Sequence, residues 1–494
     1  MNKARTTLRA SLPAARAVAR ARTSFCVVRA SSTWSDVVDT AKAALSGGGS
    51  SGSSAHDTQA VSSLLSDPLD VVGRDLTSLR YNIAALLGSG HPSLDRIAKY
   101  YFNAEGKHVR PMIVLLMAKA TNGLSAAWAA ERAAGVGEDA DVSISPARVL
   151  NDVNPNAPTP SATAPAGSGT SHASYTPALQ HVILPTQRRL AEITEMIHVA
   201  SLLHDDVIDA SPLRRGAPSA PNVFGNKLSI LGGDFLLGRA SVALARLRDA
   251  EVTELMSTVI ANLVEGEVMQ MRAQVSDQVP VTDAASSIPA AHVLDDFWGS
   301  YGDLPDDGSA GPTRVMFQYY LQKTYLKTAS LIAKSARSAT VLGGCGQSTA
   351  ATLSPAERER AAAVSHASYM YGRHVGIAFQ LVDDMLDFHA TTDTFGKPSG
   401  GADLQLGLAT APVLYAWQQY PDSLLGELVA RRFSEAGDVQ AALELVHKSD
   451  GLARTARLAQ YHADVAASAL SVLPPSEARS ALEKLNQQIV TRAK

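Results

Sequence analysis

The 494-residue chain has only two cysteines, Cys26 and Cys345. That is too few for a disulfide framework and suits a reducing compartment. It has no uninterrupted apolar run of about 18 residues, so no membrane-spanning segment is expected. Neither sign of charge dominates: 44 Lys and Arg stand against 47 Asp and Glu, a net charge of −3, which leaves no general nucleic-acid footprint. Acids are missing before Asp36, where Lys3, Arg5, Arg9, Arg16, Arg20, Arg22 and Arg29 stand among Ala, Ser and Thr. Arg5, Arg9, Arg16 and Arg20 recur at helical spacing, which predicts a mitochondrial transit peptide over 1–35. The stretch 36–66, with its Gly/Ser run at 46–54, reads as a flexible tether.

Alternating strand patterns are also missing. Apolar positions recur with helical period over 69–87, 93–101, 111–119, 186–209, 227–248, 252–271, 315–341, 355–388 and 411–417. Turn signals fall at Gly216-Ala-Pro, Gly343-Gly344 and Gly396-Lys-Pro. Two stretches break the pattern: 122–178, rich in Ser, Pro, Ala, Asn and Gly, and 274–311, acidic with scattered Pro and Gly. Both are expected to be low-complexity inserts. The remaining residues, about 340, fit one large all-α domain over 67–494.

The most informative stretch is Met196-Ile-His-Val-Ala-Ser-Leu-Leu-His-Asp-Asp-Val-Ile-Asp209, an apolar helical run ending in three aspartates. Asp205 and Asp209 share a helix face and Asp206 lies beside them. Carboxylates that close repel, so either one stays protonated or a divalent cation joins them. A solvated acidic helix end would explain one such cluster. A second, Phe379-Gln-Leu-Val-Asp-Asp-Met-Leu-Asp387, places Asp383, Asp384 and Asp387 on another apolar run. If the two face each other, six carboxylates line one cavity, an arrangement suited to Mg²⁺ ions gripping a polyphosphate. Cations for its far side stand in Gly106-Lys-His-Val-Arg-Pro111 and in Arg214-Arg215-Gly216. Lys107 and Arg110 would sit at the positive N-terminal end of the helix that follows.

These motifs, taken in order with Lys327-Thr328, resemble those of the trans-isoprenyl diphosphate synthases. The likeness is greatest to the mitochondrial long-chain polyprenyl diphosphate synthases that make the ubiquinone side chain. The resemblance implies an all-α, isoprenoid-synthase-type helical bundle with a central cavity between two Asp-rich helices. It implies that Asp205, Asp209 and Asp383 ligate Mg²⁺, about three ions once substrate is bound, supported by Asp206, Asp384 and Asp387. Lys107, Arg110, His198 and Arg215 would bind isopentenyl diphosphate. Arg214, Lys327, Thr328, Gln380 and Lys397 would bind the allylic diphosphate, with Lys327 also serving catalysis. His204 has no role in the pattern and reads as structural. No side chain stands out as a general base, and in the family the departing pyrophosphate can take the proton.

A growing tail must run down the bundle, and one isoprene unit spans about one helical turn of 5.4 Å. Ala200 and Ser201, one turn below Asp205, are small where short-chain members carry a bulky floor, which implies a long product. Two departures affect the loop after the second motif. Gly400-Gly401 lengthens it, and Leu406-Gly-Leu408 lacks the lysine many members carry.

A terpene cyclase would share the first motif but not a second Asp-Asp-x-x-Asp. A short-chain synthase differs in product length, and a non-catalytic accessory subunit would have degraded motifs. The remaining expectations are a homo-oligomer or a hetero-oligomer with an accessory subunit, a place on the matrix side of the mitochondrion, and peripheral contact with the inner membrane.

Overall fold

Pro68, directly after Asp67, opens the first helix of the computed structural model, which describes residues 66–87, 91–102, 108–129, 183–214, 216–275, 311–389 and 400–492. The side chain of Asp67 accepts from the Leu69 N–H at 2.9 Å, satisfying one of the donors a helix start leaves orphaned. The longer helices are α1 (Pro68–Leu86), α2 (Pro92–Tyr100), α3 (Val109–Thr121), α4 (Pro185–Ile208), α5 (Asn226–Arg246), α6 (Ala250–Val275), α7 (Arg314–Thr324), α8 (Ser330–Thr340), α9 (Pro355–His389), α10 (Ala411–Gln419), α11 (Asp438–Lys448), α12 (Gly451–Ala469) and α13 (Glu477–Thr491). Among the described residues the one sheet is a two-residue hairpin, β1 (Leu213–Arg214) with β2 (Ala217–Pro218), paired Leu213 to Pro218 and Arg214 to Ala217. The fold is all-α, as the periodicity predicts.

α4 and α9 carry the two acidic motifs at their C-terminal ends. α8 packs along α9 and also against α4 and α3, so it forms the wall between them. Its approach to α9 is close because of two glycines one turn apart. A Cβ at Gly372 would come within 2.7 Å of the Ala333 Cα, and one at Gly376 within 2.5 Å of the Ala329 Cα. These are backbone atoms that cannot rotate away, so alanine at either site would push the helices apart. α4 begins with Pro185 in its first turn, and the Gln187 side chain accepts from the Leu184 N–H at 3.0 Å. The α4 residues Leu190, Ile193, Met196 and Ile197 are fully buried in the main core.

Some sequence expectations need correction. The predicted helix over 315–341 is interrupted by a π turn, Tyr325–Ala329, because one extra residue is accommodated between α7 and α8. The helical stretches identified from sequence stop at 417, yet α11, α12 and α13 follow; their narrow apolar stripes are crossed by Arg, Gln and Asp. The expected insert from 122 begins too early. Asn122 and Gln187 exchange amide hydrogen bonds at 2.8 and 2.7 Å, Ser125 donates to the Gly344 carbonyl at 2.6 Å, and Trp128 is 7% exposed. These residues are polar and small yet part of the packed body, and 274–275 close α6. The remainder of both inserts within 130–182 and 276–310, the transit peptide and the tether up to residue 65 lie outside the described residues. By length and composition α5 could cross a membrane, although Asp234 and Arg239 interrupt its apolar run. α5 packs along α4 and against α2.

Candidate active site

Asp205 and Asp206 occupy the last turn of α4 and Asp209 caps it. Their environments differ sharply. Asp206 is fully buried and accepts from Arg214 at 2.6, 2.8 and 2.9 Å and from the Tyr101 hydroxyl. The hairpin that follows the motif, turning at Gly216 with φ +76°, brings Arg214 back over α4. Burial and the hydrogen bond to Asp206 push the Tyr101 hydroxyl well up, so it stays a donor. Asp205 and Asp209, by contrast, accept no side-chain hydrogen bond among the described residues. Burial pushes Asp205 up from 3.8 to about 6, with Lys327 opposing and Glu267 and Asp209 reinforcing the rise. Asp209 is raised for the same leading reason.

The second motif repeats this division. Asp384, 4% exposed, accepts from the Tyr320 hydroxyl at 2.5 Å and from Gln380 Nε2 at 2.8 Å. Asp387 accepts from the backbone N–H groups of Ala402 and Asp403 at 2.9 and 3.1 Å, which ties down the Gly400-Gly401 loop. Gly401 takes φ +77°, a conformation glycine allows cheaply. Asp383, half-buried, pairs with Arg492 at 2.5 Å from the end of α13, and that guanidinium also lies 4.5 Å from the Phe379 ring centre. Burial raises Asp383 and Asp384 above their usual range.

The two motifs share one electrostatic field. Asp403, beside the second motif, is pushed up to about 7 by burial, then by Asp384 and Asp387, and also by Asp209 from the first motif. Between them the π turn presents Lys327, whose Nζ donates to Glu267 and, at 3.2 Å, to Gln270 on α6. Thr328 donates to Gln380 at 2.8 Å, so those two predicted site residues meet each other. Lys323, one turn earlier, is driven down by burial while Asp384 and Asp403 resist that fall.

A cavity of about 340 Å³ opens beside the first motif, lined by Tyr101, His108, Glu195, His198 and Arg214 among others. Arg110 Nη1 lies 3.1 Å from His198 Nε2, and His108 Nδ1 lies 3.0 Å from Glu195. Arg110, His198 and Arg214 are therefore gathered here, while Lys107, Arg215 and Lys397 lie outside the described residues. His204 reaches the Ile230 carbonyl at 3.2 Å and Asp234 at 3.5 Å, a contact between α4 and α5. Ala200 is fully buried in the core, whereas Ser201 is half-buried and donates to the His198 carbonyl at 2.8 Å. Tyr101, Tyr320, Glu267, Gln270, Asp403 and Arg492 join the site without having been singled out by any motif.

Among the described residues no three carboxylate, imidazole or thiol side chains form a ready-made metal cage. That suits Mg²⁺, which is usually held by one or two carboxylates together with substrate phosphate oxygens. Asp205 and Asp209 fit this demand: desolvated, adjacent and without a donor. Their charge is costly in the metal-free protein. Because Asp205 titrates near 6 when folded against 3.8 otherwise, the folded state favours its protonated form, and that advantage is lost as pH rises through 6. At pH 7.5 Asp205→Asn should therefore stabilise the metal-free protein by about 3 kcal/mol, on the order of the shift times 1.4 kcal/mol per unit. Thermal unfolding in a chelator checks this; a Tm at or below that of the wild type would contradict it.

The polyprenyl synthetase family pattern matches residues 172–288 and 293–446. The mitochondrial hexaprenyl pyrophosphate synthase of Saccharomyces cerevisiae is 43% identical over 465 residues, spanning 87% of this chain and 92% of that protein. Decaprenyl-diphosphate synthase subunit 1 of Schizosaccharomyces pombe is 38% identical over 424 residues, spanning 86% and 91%. Among solved structures, a polyprenyl synthase from Caulobacter crescentus complexed with calcium and isoprenyl diphosphate superposes with a TM-score of 0.58 at 25% identity, covering 86% of this chain and 97% of that one.

Proposed function

This chain belongs to the polyprenyl synthetase family, and from that membership we propose how its two acidic motifs work together as a long-chain all-trans-polyprenyl diphosphate synthase. It is a prenyltransferase that adds isopentenyl units to an allylic diphosphate. The observation that carries the reading is Asp403, whose carboxyl feels Asp384 and Asp387 from one motif and Asp209 from the other. Charges from both acidic helix ends thus lie within reach of one carboxyl, which supports a shared cleft.

Divalent metal, Mg²⁺ on this reading and about three ions with substrate bound, would supply the positive charge that lets the diphosphate leave. Asp205, Asp209 and Asp383 would hold it. Lys327 and Arg214 would stabilise the same leaving group, as cations placed where charge develops; Lys397 would join them. The Thr328–Gln380 pair would orient the allylic substrate, and Gln380 in turn steadies Asp384. Arg110 and His198, with Lys107 and Arg215, would hold the diphosphate of isopentenyl diphosphate so that its double bond meets the allylic carbon as the C–O bond breaks. The proton lost afterwards passes to the released pyrophosphate. Asp206 and Asp384 are saturated by protein donors and support their neighbours rather than gripping metal themselves.

The long-chain reading is supported by the names of the two fungal relatives and by the small residues at 200 and 201. The two positions are not equivalent. Phenylalanine at the fully buried Ala200 would overpack the core, at about 1–3 kcal/mol, whereas half-buried Ser201 leaves room. Ser201→Phe is expected to keep turnover and shorten the product to about four isoprene units, the added ring blocking roughly one helical turn. Thin-layer or mass analysis of the dephosphorylated products reads this directly, and an unchanged chain length would remove Ser201 from the product path.

We also propose a mitochondrial location on the matrix side and a role in supplying the ubiquinone side chain, supported by the basic N-terminal stretch and the relative named mitochondrial. Assembly as a homo-oligomer is expected, and the relative named as a subunit supports a hetero-oligomer as the other form. The testing experiment gives the purified full chain farnesyl diphosphate, labelled isopentenyl diphosphate and Mg²⁺. A long polyprenyl ladder is the expected result. Products ending at about four units would leave a short-chain synthase, and no product from folded protein would mean that the chain needs a partner subunit.

A further inference from the structure

The two acidic motifs have the same internal construction, and it comes from parts of the chain with no sequence motif. In each, the middle aspartate is the buried one: Asp206 is 0% exposed and Asp384 is 4% exposed. A tyrosine hydroxyl from another helix donates to each, Tyr101 from the end of α2 and Tyr320 from α7. Each also has a second donor from close by in sequence, Arg214 eight residues on and Gln380 four residues back. Both tyrosines are themselves fixed. Tyr101 accepts from the Ala220 N–H at 2.7 Å and is 9% exposed, and Tyr320 is 3% exposed.

A carboxylate with both oxygens taken by protein donors is held in one rotamer. The helix turn around it is then held too, and with it the outward direction of the aspartates at its flanks. Resting on the metal-and-diphosphate reading above, we propose that Tyr101 and Tyr320 are paired positioning residues. Each pins the central aspartate of one motif as a non-ligating anchor, so that Asp205 and Asp209 on one side and Asp383 on the other are presented to metal in fixed directions. Tyr320 touches neither metal nor substrate in this scheme, whereas Tyr101 also lines the cavity beside His198 and Arg214; toward metal, both act through Asp206 and Asp384. Outer-shell partners of this kind typically affect metal affinity by about 10–100-fold when removed.

The test uses the full chain with Tyr320→Phe and Tyr101→Phe, each deleting one hydroxyl and keeping the ring. Two quantities are measured: the Mg²⁺ concentration giving half-maximal turnover at saturating substrates, and the rise in Tm produced by Mg²⁺ with inorganic pyrophosphate. The expected result for Tyr320→Phe is about a tenfold higher Mg²⁺ requirement and a smaller Mg²⁺-pyrophosphate rise in Tm. Turnover at saturating Mg²⁺ is expected to remain within about threefold. A lower metal-free Tm with an unchanged Mg²⁺ requirement would make the tyrosines structural and overturn the proposal. If Tyr320→Phe fails to fold, Tyr101→Phe decides by the Mg²⁺ requirement and the Mg²⁺-pyrophosphate rise in Tm alone, since it anchors the other motif independently. A wild-type chain that gains no Tm from Mg²⁺ and pyrophosphate would defeat the metal reading itself, and that failure is visible before any variant is made.

Discussion

Asp205→Ala is expected to lose activity by about 10³-fold or more while the protein stays folded, because the change removes a desolvated carboxylate from the metal face and leaves no donor behind it. Asp206→Ala, one residue along, should behave in the opposite order. It strips the partner from Arg214 and Tyr101 at a fully buried position, and stability should fall by about 2 kcal/mol or more, discounted for the partly exposed guanidinium. Steady-state turnover, read beside circular dichroism and thermal melts, separates the two. Equal effects on activity and stability at both positions would mean that the motif acts as one undivided cluster.

The second large effect is expected at Lys327. Lys327→Met keeps the length of the side chain and removes the cation facing Asp205 and Asp209, so turnover should drop by about 10²–10³-fold, as for loss of a charge aimed at a developing anion. A change in pH dependence should accompany it. Protons compete with metal for Asp205, which titrates at about 6, so the apparent Mg²⁺ affinity should weaken as pH falls through that value. Lys327 opposes the rise of Asp205, so its removal lets Asp205 climb further and moves the weakening to higher pH. Mg²⁺ titrations at a series of pH values measure this, and a profile that stays in place would separate Lys327 from Asp205.

Much of this site is readable from local sequence because its central parts are local. Three aspartates within five residues, a Lys-Thr pair and a Gly-Lys-x-x-Arg-Pro run are short patterns on single helices or their starts, and helical periodicity located those helices within a few residues. The anchors are different. Tyr320 and Asp384 are 64 residues apart, Tyr101 and Asp206 are 105 apart, and Arg492 reaches Asp383 over 109. An aromatic with a hydroxyl has no periodic signature, and its partner is fixed only once the bundle packs. The same reason explains the misplaced insert edge: Asn122 and Ser125 look like loop residues until Gln187 and Gly344 supply their hydrogen bonds. The π turn was illegible too, since one extra residue leaves the apolar pattern of 315–341 nearly intact.

The ion pair between Arg492 and Asp383, with α13 packed against α1, α3 and α9, has a consequence for how the protein is made. Lys484 on the same helix pairs with Asp67 at 3.2 Å, at the very start of α1. The late helix is thus a clasp over early ones, and the cleft reaches its final form only after the two are joined. Such long-range closure is slow and cannot be completed on a partly synthesised chain. The acidic site therefore stays unassembled until the whole bundle is present.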